Sequence, residues 1–429
     1  MLKIIEEKNN KNFIIELNSR NTQDYKKITK SVEAIIEDVK NNGNRALAKY
    51  AKKYDGFEED NFEVKDYEIE KAVKEIDRKL YETIEKAYNN IKDYHKKQKR
   101  RTNTYKPENK DIILGQIIKP IKKAGIYIPG GKAAYPSTVL MNAVPAKIAG
   151  VEEISMITPV GKEGKISPSI LVAAYICGVD KIYKVGGAHG IAALAYGTET
   201  ISQVYKITGP GNIYVSAAKK LVSGKVGIDM IAGPSEILIV ADKNANPEYI
   251  AADLISQAEH DEMAASILIT DSHKLAEKVN EYLKDMVDKL ERKEIIKKSL
   301  EGYGGILLTD SLNESLNIAN EIAPEHLEIL TENPFEDYKK IENAGAIFLG
   351  EYSPEPVGDY FAGPNHTLPT SGTSKFSSPL SVDDFIKKTS LIYYSKNSLE
   401  ESKEDIIRFA ENEGLTGHAN SIKIRFQED

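Results

Sequence analysis

The chain has 429 residues, 41% of them hydrophobic and 29% charged, with a net charge of −7 and no tryptophan. That length calls for two or more domains, and the acidic balance argues against general nucleic-acid binding. No stretch approaches the ~18 apolar residues that span a bilayer. The opening "MLKIIEEKNNKNF" lacks the apolar centre of a secretory signal, and a single cysteine, Cys177, excludes an internal disulfide framework. The chain reads as a cytoplasmic globular protein.

Residues 23–101 carry apolar residues at three- and four-residue spacing with charges between them, which predicts helices. The basic run "KKQKRR" at 96–101 is a solvated helix end. "YKPENKDIILGQ" then reads as a connection, and short apolar strands alternate with helices after it. Strands are expected at 124–129, 153–159, 181–187 and 203–209, and in a second series at 237–242, 265–271, 305–310 and 345–350. Continuous apolar strands alternating with helices imply parallel sheets covered on both faces. The fold class is therefore α/β, with two Rossmann-like parallel-sheet layers. Past 380 the pattern reads as a strand, a helix opened by Ser398 and Glu401, a stop at Gly414 and a last strand. This tail is too short for a domain and needs something to pack on, such as another subunit.

Ligands of open α/β sheets bind at the carboxyl ends of strands. The glycine-rich turns at 127–131, 185–190, 208–212 and 232–236 are expected there together, where their amides suit a dinucleotide's phosphates. His95 and His273 sit among lysines and read as surface residues. "SQAEH" spaces Gln257 and His260 three apart on one helix face, which fits either two ligands of one metal or an ordinary surface pair. Asp359 and His366 lie in an irregular segment of Gly, Pro and Asn, and Glu413 and His418 follow a helix end. Imidazoles with a carboxylate suit Zn²⁺ better than Mg²⁺ or Ca²⁺. Cys177 has no His or Lys beside it and reads as a packing residue. In "IAPEHLEIL", Glu325 and His326 stand side by side, either on a surface helix or as two proton-transfer groups at a site.

Taken together, "GIYIPGG", "STVLMNAVPAKIAG", "VGGAHGIAALAYGTE", "TGPGN", "IDMIAGPSEILIVAD", "DLISQAEHD", "IAPEHLEI", "GDYFAGPNHTLPT" and "GHANSI" resemble histidinol dehydrogenases across about 125–420. The resemblance implies a zinc- and NAD⁺-dependent oxidoreductase of histidine biosynthesis. Such an enzyme takes L-histidinol through L-histidinaldehyde to L-histidine and reduces two NAD⁺. It implies one zinc per subunit on Gln257, His260, Asp359 and His418, with Glu325 and His326 as the acid–base pair. Ser235, His366 and Glu413 would contact the substrate, as would Gln257, His260, His326, Asp359 and His418. Tyr127 and Asn212 match NAD positions, and His189 stands where the family commonly has Gln in "GGAQ". An imidazole can still offer one donor or acceptor there.

The resemblance also implies a homodimer whose exchanged C-terminal tails complete each other's sites. The expected organisation is a helical region over 1–110 packing on the second α/β domain, α/β domains over 111–236 and 237–380, and a tail over 381–429. Two rival readings are a related dehydrogenase of another amino alcohol or sulfonated alcohol, and a non-catalytic ligand-binding protein that kept the fold.

Overall fold

The computed structural model describes residues 2–19, 25–58, 61–108, 110–130, 134–161 and 164–427; Gly131 of the first glycine-rich turn lies outside them. The strands are β1 (Lys3–Ile5), β2 (Asn103–Tyr105), β3 (Ile112–Pro120), β4 (Lys123–Tyr127), β5 (Glu153–Thr158), β6 (Lys181–Lys184) and β7 (Lys206–Thr208). They continue with β8 (Gly227–Ile228), β9 (Glu236–Ala241), β10 (Ala265–Thr270), β11 (Gly305–Leu308), β12 (His326–Leu330), β13 (Ala346–Leu349) and β14 (Ile386–Tyr394).

The chain divides into two compact units, the first of Met1–Gln98 with Ile121–Phe385 and the second of Lys99–Pro120 with Ile386–Asp429. The first unit holds two parallel sheets. One is ordered β6-β5-β4-β7-β8 and the other β1-β11-β10-β9-β12-β13. From its starting strand each sheet steps outward one way and then reverses, so each has a switch point, at β4/β7 and at β9/β12.

The larger sheet shows why its strands read as unbroken apolar runs. Ile237 and Ile239 of β9 face the helices Pro247–Ala258, His273–Val287 and Lys293–Tyr303. Leu238 and Val240 face the opposite layer, where Ile14, Leu17 and the helix Leu312–Ile322 pack. Each fully buried Ile or Leu contributes about 1.5–3 kcal/mol relative to exposure.

The helices Tyr25–Tyr50, Asp66–Glu75 and Arg78–Lys96 do not pack on that sheet, as the N-terminal region was expected to. They cover the helices Gly187–Tyr196, Ile213–Val222, Pro168–Cys177 and Pro136–Ala149 of the first sheet. β1 and the helix Asn10–Ser19 join the second sheet, and Asn90 and His95 of Arg78–Lys96 bond to Phe361 and Asn365 within 237–380. The reason is physical. Helices such as Pro136–Ala149 are apolar nearly all round and need an outer amphipathic layer, whereas the second sheet has its own helices on both faces.

The second unit is an antiparallel sheet, β14-β3-β2, with the helices Lys396–Asn412 and Thr416–Lys423. β3 therefore pairs with the tail strand rather than opening the first α/β layer. The helix at 396 is capped by Ser395, whose hydroxyl accepts from the Ser398 amide, and not by Ser398 as expected. Gly414 (φ +73) follows its end as the expected stop. The chain finishes in helical turns, not a strand. No helix among the described residues is long and apolar enough to cross a membrane.

Candidate active site

Glu325 and His326 do not lie on a surface helix: Glu325 ends a short buried connection and His326 begins a strand. The helix Leu312–Ile322 ends at Ala323, which takes a left-handed conformation (φ 54) and is followed by Pro324. His326 then opens β12, between Ile237 of β9 and Ala346 of β13. The pair thus sits at the amino end of the second sheet's switch point, opposite to the edge where ligands of such sheets usually bind. The turn at 232–236 precedes β9 on this edge, while the turns at 127–131, 185–190 and 208–212 follow β4, β6 and β7. The four glycine-rich turns do not share one edge of one sheet.

One backbone unit fixes both side chains. The Glu236 amide donates to Glu325 Oε2 at 2.9 Å, and the Glu236 carbonyl lies 2.9 Å from His326 Nδ1. His326 Nε2 points the other way, 3.5 Å from Asp359 Oδ1, too long for a good hydrogen bond. Both residues are buried. Burial pushes the Glu325 carboxyl up to about 8, against the pull of His326. For His326, burial alone would lower the imidazole, but Glu325 and Asp359 outweigh it and hold it at about 10. Both groups hold their protons more tightly than usual, and Nε2 and the carboxylate are the atoms at which a proton can be exchanged.

Gln257 occupies the last turn of Pro247–Ala258, fully buried, and neither its amide oxygen nor its nitrogen has a hydrogen-bond partner. His260 lies two residues past the helix, exposed, in a turn closed by its own amide to the Gln257 carbonyl at 3.2 Å. The two come from a helix end and its following turn, not from one helix face. Asp359 lies on the short helix Glu355–Tyr360, four residues after Glu355, so both carboxylates share a face. Ligand atoms of His260, Glu355 and Asp359 all fall within 4.8 Å of one another. Burial would raise the Asp359 carboxyl, but His326, His366 and His260 outweigh it and hold it at about 2.

This donor set fits a divalent cation. A buried amide with both polar atoms unsatisfied costs about 1–3 kcal/mol for each unmade bond unless something binds it. Glu355 escaped the sequence reading, although its position four before Asp359 was there to find.

His366 is half-buried, its Nδ1 3.0 Å from the Asp359 carbonyl and its Nε2 3.4 Å from Thr138 Oγ1. Burial lowers its imidazole. Ser235 lies half-buried just before β9, with its carbonyl accepting from the Ala265 amide. A cavity of about 660 Å³ runs past Tyr94, His326, Phe348, Asp359 and His366. Glu413 and His418 belong to the second unit, one at the end of Lys396–Asn412 and the other in Thr416–Lys423, both exposed.

The residues matched to a cofactor lie at the carboxyl edge of the first sheet. Tyr127 ends β4 and is buried, which pushes its hydroxyl up to about 12. Asn212 caps Ile213–Val222, accepting from the Tyr214 and Val215 amides. His189 is buried with Nε2 3.1 Å from Asp55 Oδ2, and that same oxygen accepts from the Gly186 amide at 3.2 Å. Behind this edge Lys219 and Asp229 form a buried ion pair that clamps Gly209: Lys219 donates to its carbonyl and Asp229 accepts from its amide. Gly209 (φ +115) has no room for a side chain, because a Cβ would lie 2.2 Å from the Tyr127 carbonyl oxygen. Cys177 is buried, and burial raises its thiol far above a reactive range.

A family model described as histidinol dehydrogenase matches residues 18–426. The chain belongs to the histidinol dehydrogenase family. It is 55% identical over 411 residues to the histidinol dehydrogenase of Clostridium acetobutylicum, covering 96% of this chain and 95% of that one. The histidinol dehydrogenase of Caldanaerobacter subterraneus is 54% identical over 416 residues, covering 96% of each. The crystal structure of histidinol dehydrogenase from Elizabethkingia anophelis superposes with a TM-score of 0.94 at 38% identity, over 99% of this chain and 98% of that one. Histidinol dehydrogenases are oxidoreductases, and this chain has their fold from end to end.

Proposed function

We propose that this protein oxidises L-histidinol through L-histidinaldehyde to L-histidine, with two NAD⁺ as hydride acceptors and one zinc ion per subunit. The observation that carries the reading is the anchored His326: Nδ1 is tied to the Glu236 carbonyl, and Nε2 is free beside the acidic and histidine donors. Gln257, His260, Asp359 and His418 would hold the ion, which would supply positive charge to grip the substrate's nitrogens. His418 and Glu413 would come from a second copy, through tails exchanged in a homodimer.

His326 would start neutral, because a cation held by Asp359 and His260 would offset the negative charge that raises it. In the first oxidation its Nε2 takes the proton of the hydroxyl as the carbon gives up hydride. Nδ1 keeps its own proton throughout, so the ring does not turn. The aldehyde stays bound; ionised Glu325 takes a proton from the water that adds to it while His326 returns its proton to the aldehyde oxygen, giving the gem-diol. His326 then takes a proton from the diol as the second hydride leaves. Two adjacent groups in different environments thus divide two kinds of proton transfer. His366, held by the Asp359 carbonyl and Thr138, and Ser235 would bind the substrate's far end, with Glu413 facing its cationic group. Tyr127, Asn212 and His189 would position the nicotinamide cofactor along the first sheet's carboxyl edge.

The test is to supply purified protein with L-histidinol, NAD⁺ and Zn²⁺ and to quantify L-histidine and NADH together. Two NADH per histidine is the expected ratio. NADH formed with other amino alcohols but not with histidinol would overturn the substrate, and full turnover in a verified metal-free sample would remove zinc.

A further inference from the structure

Glu355 is buried, and the scheme above gives it no task. Its place is nevertheless fixed from two sides. Its backbone amide donates to Glu328 Oε1 at 2.8 Å, and Glu328 lies two residues beyond His326 on β12. Its Oε2 accepts from Ser256 Oγ at 2.9 Å, and Ser256 is the residue before Gln257. The strand that orients the proposed base and the helix that carries the buried amide therefore hold this carboxylate as well.

No Lys or Arg among the described residues pairs with Glu355 or Asp359, although both carboxylates stand within 4.8 Å of one another and of His260. Two mostly buried carboxylates at that distance repel, and apart from the neighbouring imidazoles no cationic side chain among the described residues is paired with them to offset this. Donors about 2.0–2.2 Å from zinc stand at most ~4.4 Å apart when opposite, so three atoms within 4.8 Å need little movement to share one ion. A second feature points the same way: His326 Nε2 is buried, unpartnered and directed at Asp359.

We propose that Glu355 is a direct ligand of the divalent cation in the substrate-free enzyme and gives up its position to a substrate nitrogen. This rests on the reading that the site holds such a cation. Glu355 would keep the ion fully coordinated between turnovers, when the places taken by the substrate are empty.

The test uses full-length, metal-stripped enzyme without substrate, titrated with Zn²⁺ against a chromogenic chelator. Glu355→Gln, which keeps shape and loses charge, is expected to weaken Zn²⁺ binding about 10- to 100-fold, the loss typical when groups around a metal are removed. With Co²⁺ loaded instead, the visible spectra of wild type and variant should differ without substrate and converge once histidinol is added. Equal Zn²⁺ affinity and identical Co²⁺ spectra in a variant with wild-type circular dichroism would overturn the proposal while leaving a zinc enzyme intact. Wild-type protein that binds no Zn²⁺ would sink the parent reading with it. Should Glu355→Gln fail to fold, Ser256→Ala decides: a smaller loss of affinity supports the proposal, and no loss overturns it.

Discussion

The imidazole Nδ1 of His326 lies 2.9 Å from the backbone carbonyl oxygen of Glu236. A carbonyl can only accept, so Nδ1 carries a hydrogen and the exchangeable site of the neutral ring is Nε2. The β9–β12 register fixes this contact, because His326 pairs with Ile237, the residue after Glu236. The expected consequence is a clean division of labour. His326→Asn should lower turnover of both histidinol and histidinaldehyde by about 10²–10⁴, the range for a lost general base. Glu325→Gln should spare the alcohol and slow the aldehyde. NADH formation from each substrate checks this; equal, small effects of both changes on both substrates would refute the roles.

Chelation is expected to abolish activity and added Zn²⁺ to restore it. Gln257→Leu separates binding from folding. The leucine fills the same buried space without two unsatisfied polar atoms, so the metal-free variant should be at least as stable as metal-free wild type. Its zinc content after dialysis should fall. A variant that keeps stoichiometric zinc would remove Gln257 from the donor set.

Much of this architecture was legible because doubly covered strands leave unbroken apolar runs, as in "ILIV" of β9. β12 was not, since "HLEIL" carries two polar residues that face the site while Leu327 and Ile329 face the core. The last segment, "SIKIRF", alternates like a strand but is too short for its period to compete with packing on the helix Lys396–Asn412. β3 was hidden because its partner, β14, lies some 270 residues along the chain. At the site, residue types named the donors but not their origin from a helix end and a short helix. His95 was misjudged: its lysine neighbours suggested a surface, yet it continues the buried face of Ile84, Ala87 and Ile91 at helical spacing.

The buried Lys219–Asp229 pair yields a stability prediction. With side chains 2% and 0% exposed, neither charge can be rescued by water. Lys219→Met should destabilise the protein by about 3–5 kcal/mol, because it strands an uncompensated buried carboxylate. Lys219→Met with Asp229→Leu should cost less than the sum of the two single changes. Urea midpoints of the four proteins decide the matter, and strict additivity would show the charges do not interact. The Gly209 turn loses both its anchors in the double variant, so any NAD⁺ affinity should drop even where stability recovers.

His95 gives the pH dependence. Its Nδ1 lies 2.8 Å from the Ile91 carbonyl and its Nε2 3.3 Å from Asn365 Nδ2, so the buried ring donates at one nitrogen and accepts at the other. Burial pushes the imidazole below its usual value, and the backbone of Ile91 and Leu380 offsets this only in part, while the Asn365 N–H disfavours a proton on Nε2. The unfolded chain takes up this proton near pH ~6.5 while the folded one resists, so stability is complete above that value and falls as pH drops towards the folded pKa. The slope contributed by this one residue approaches ~1.4 kcal/mol per pH unit. His95→Gln cannot titrate, so its urea midpoint should decline less than that of wild type between pH 7 and 5.5, whatever its starting stability. Parallel declines in the two proteins would mean that the ring charges in the folded state at no cost, and that Asn365 does not hold it neutral.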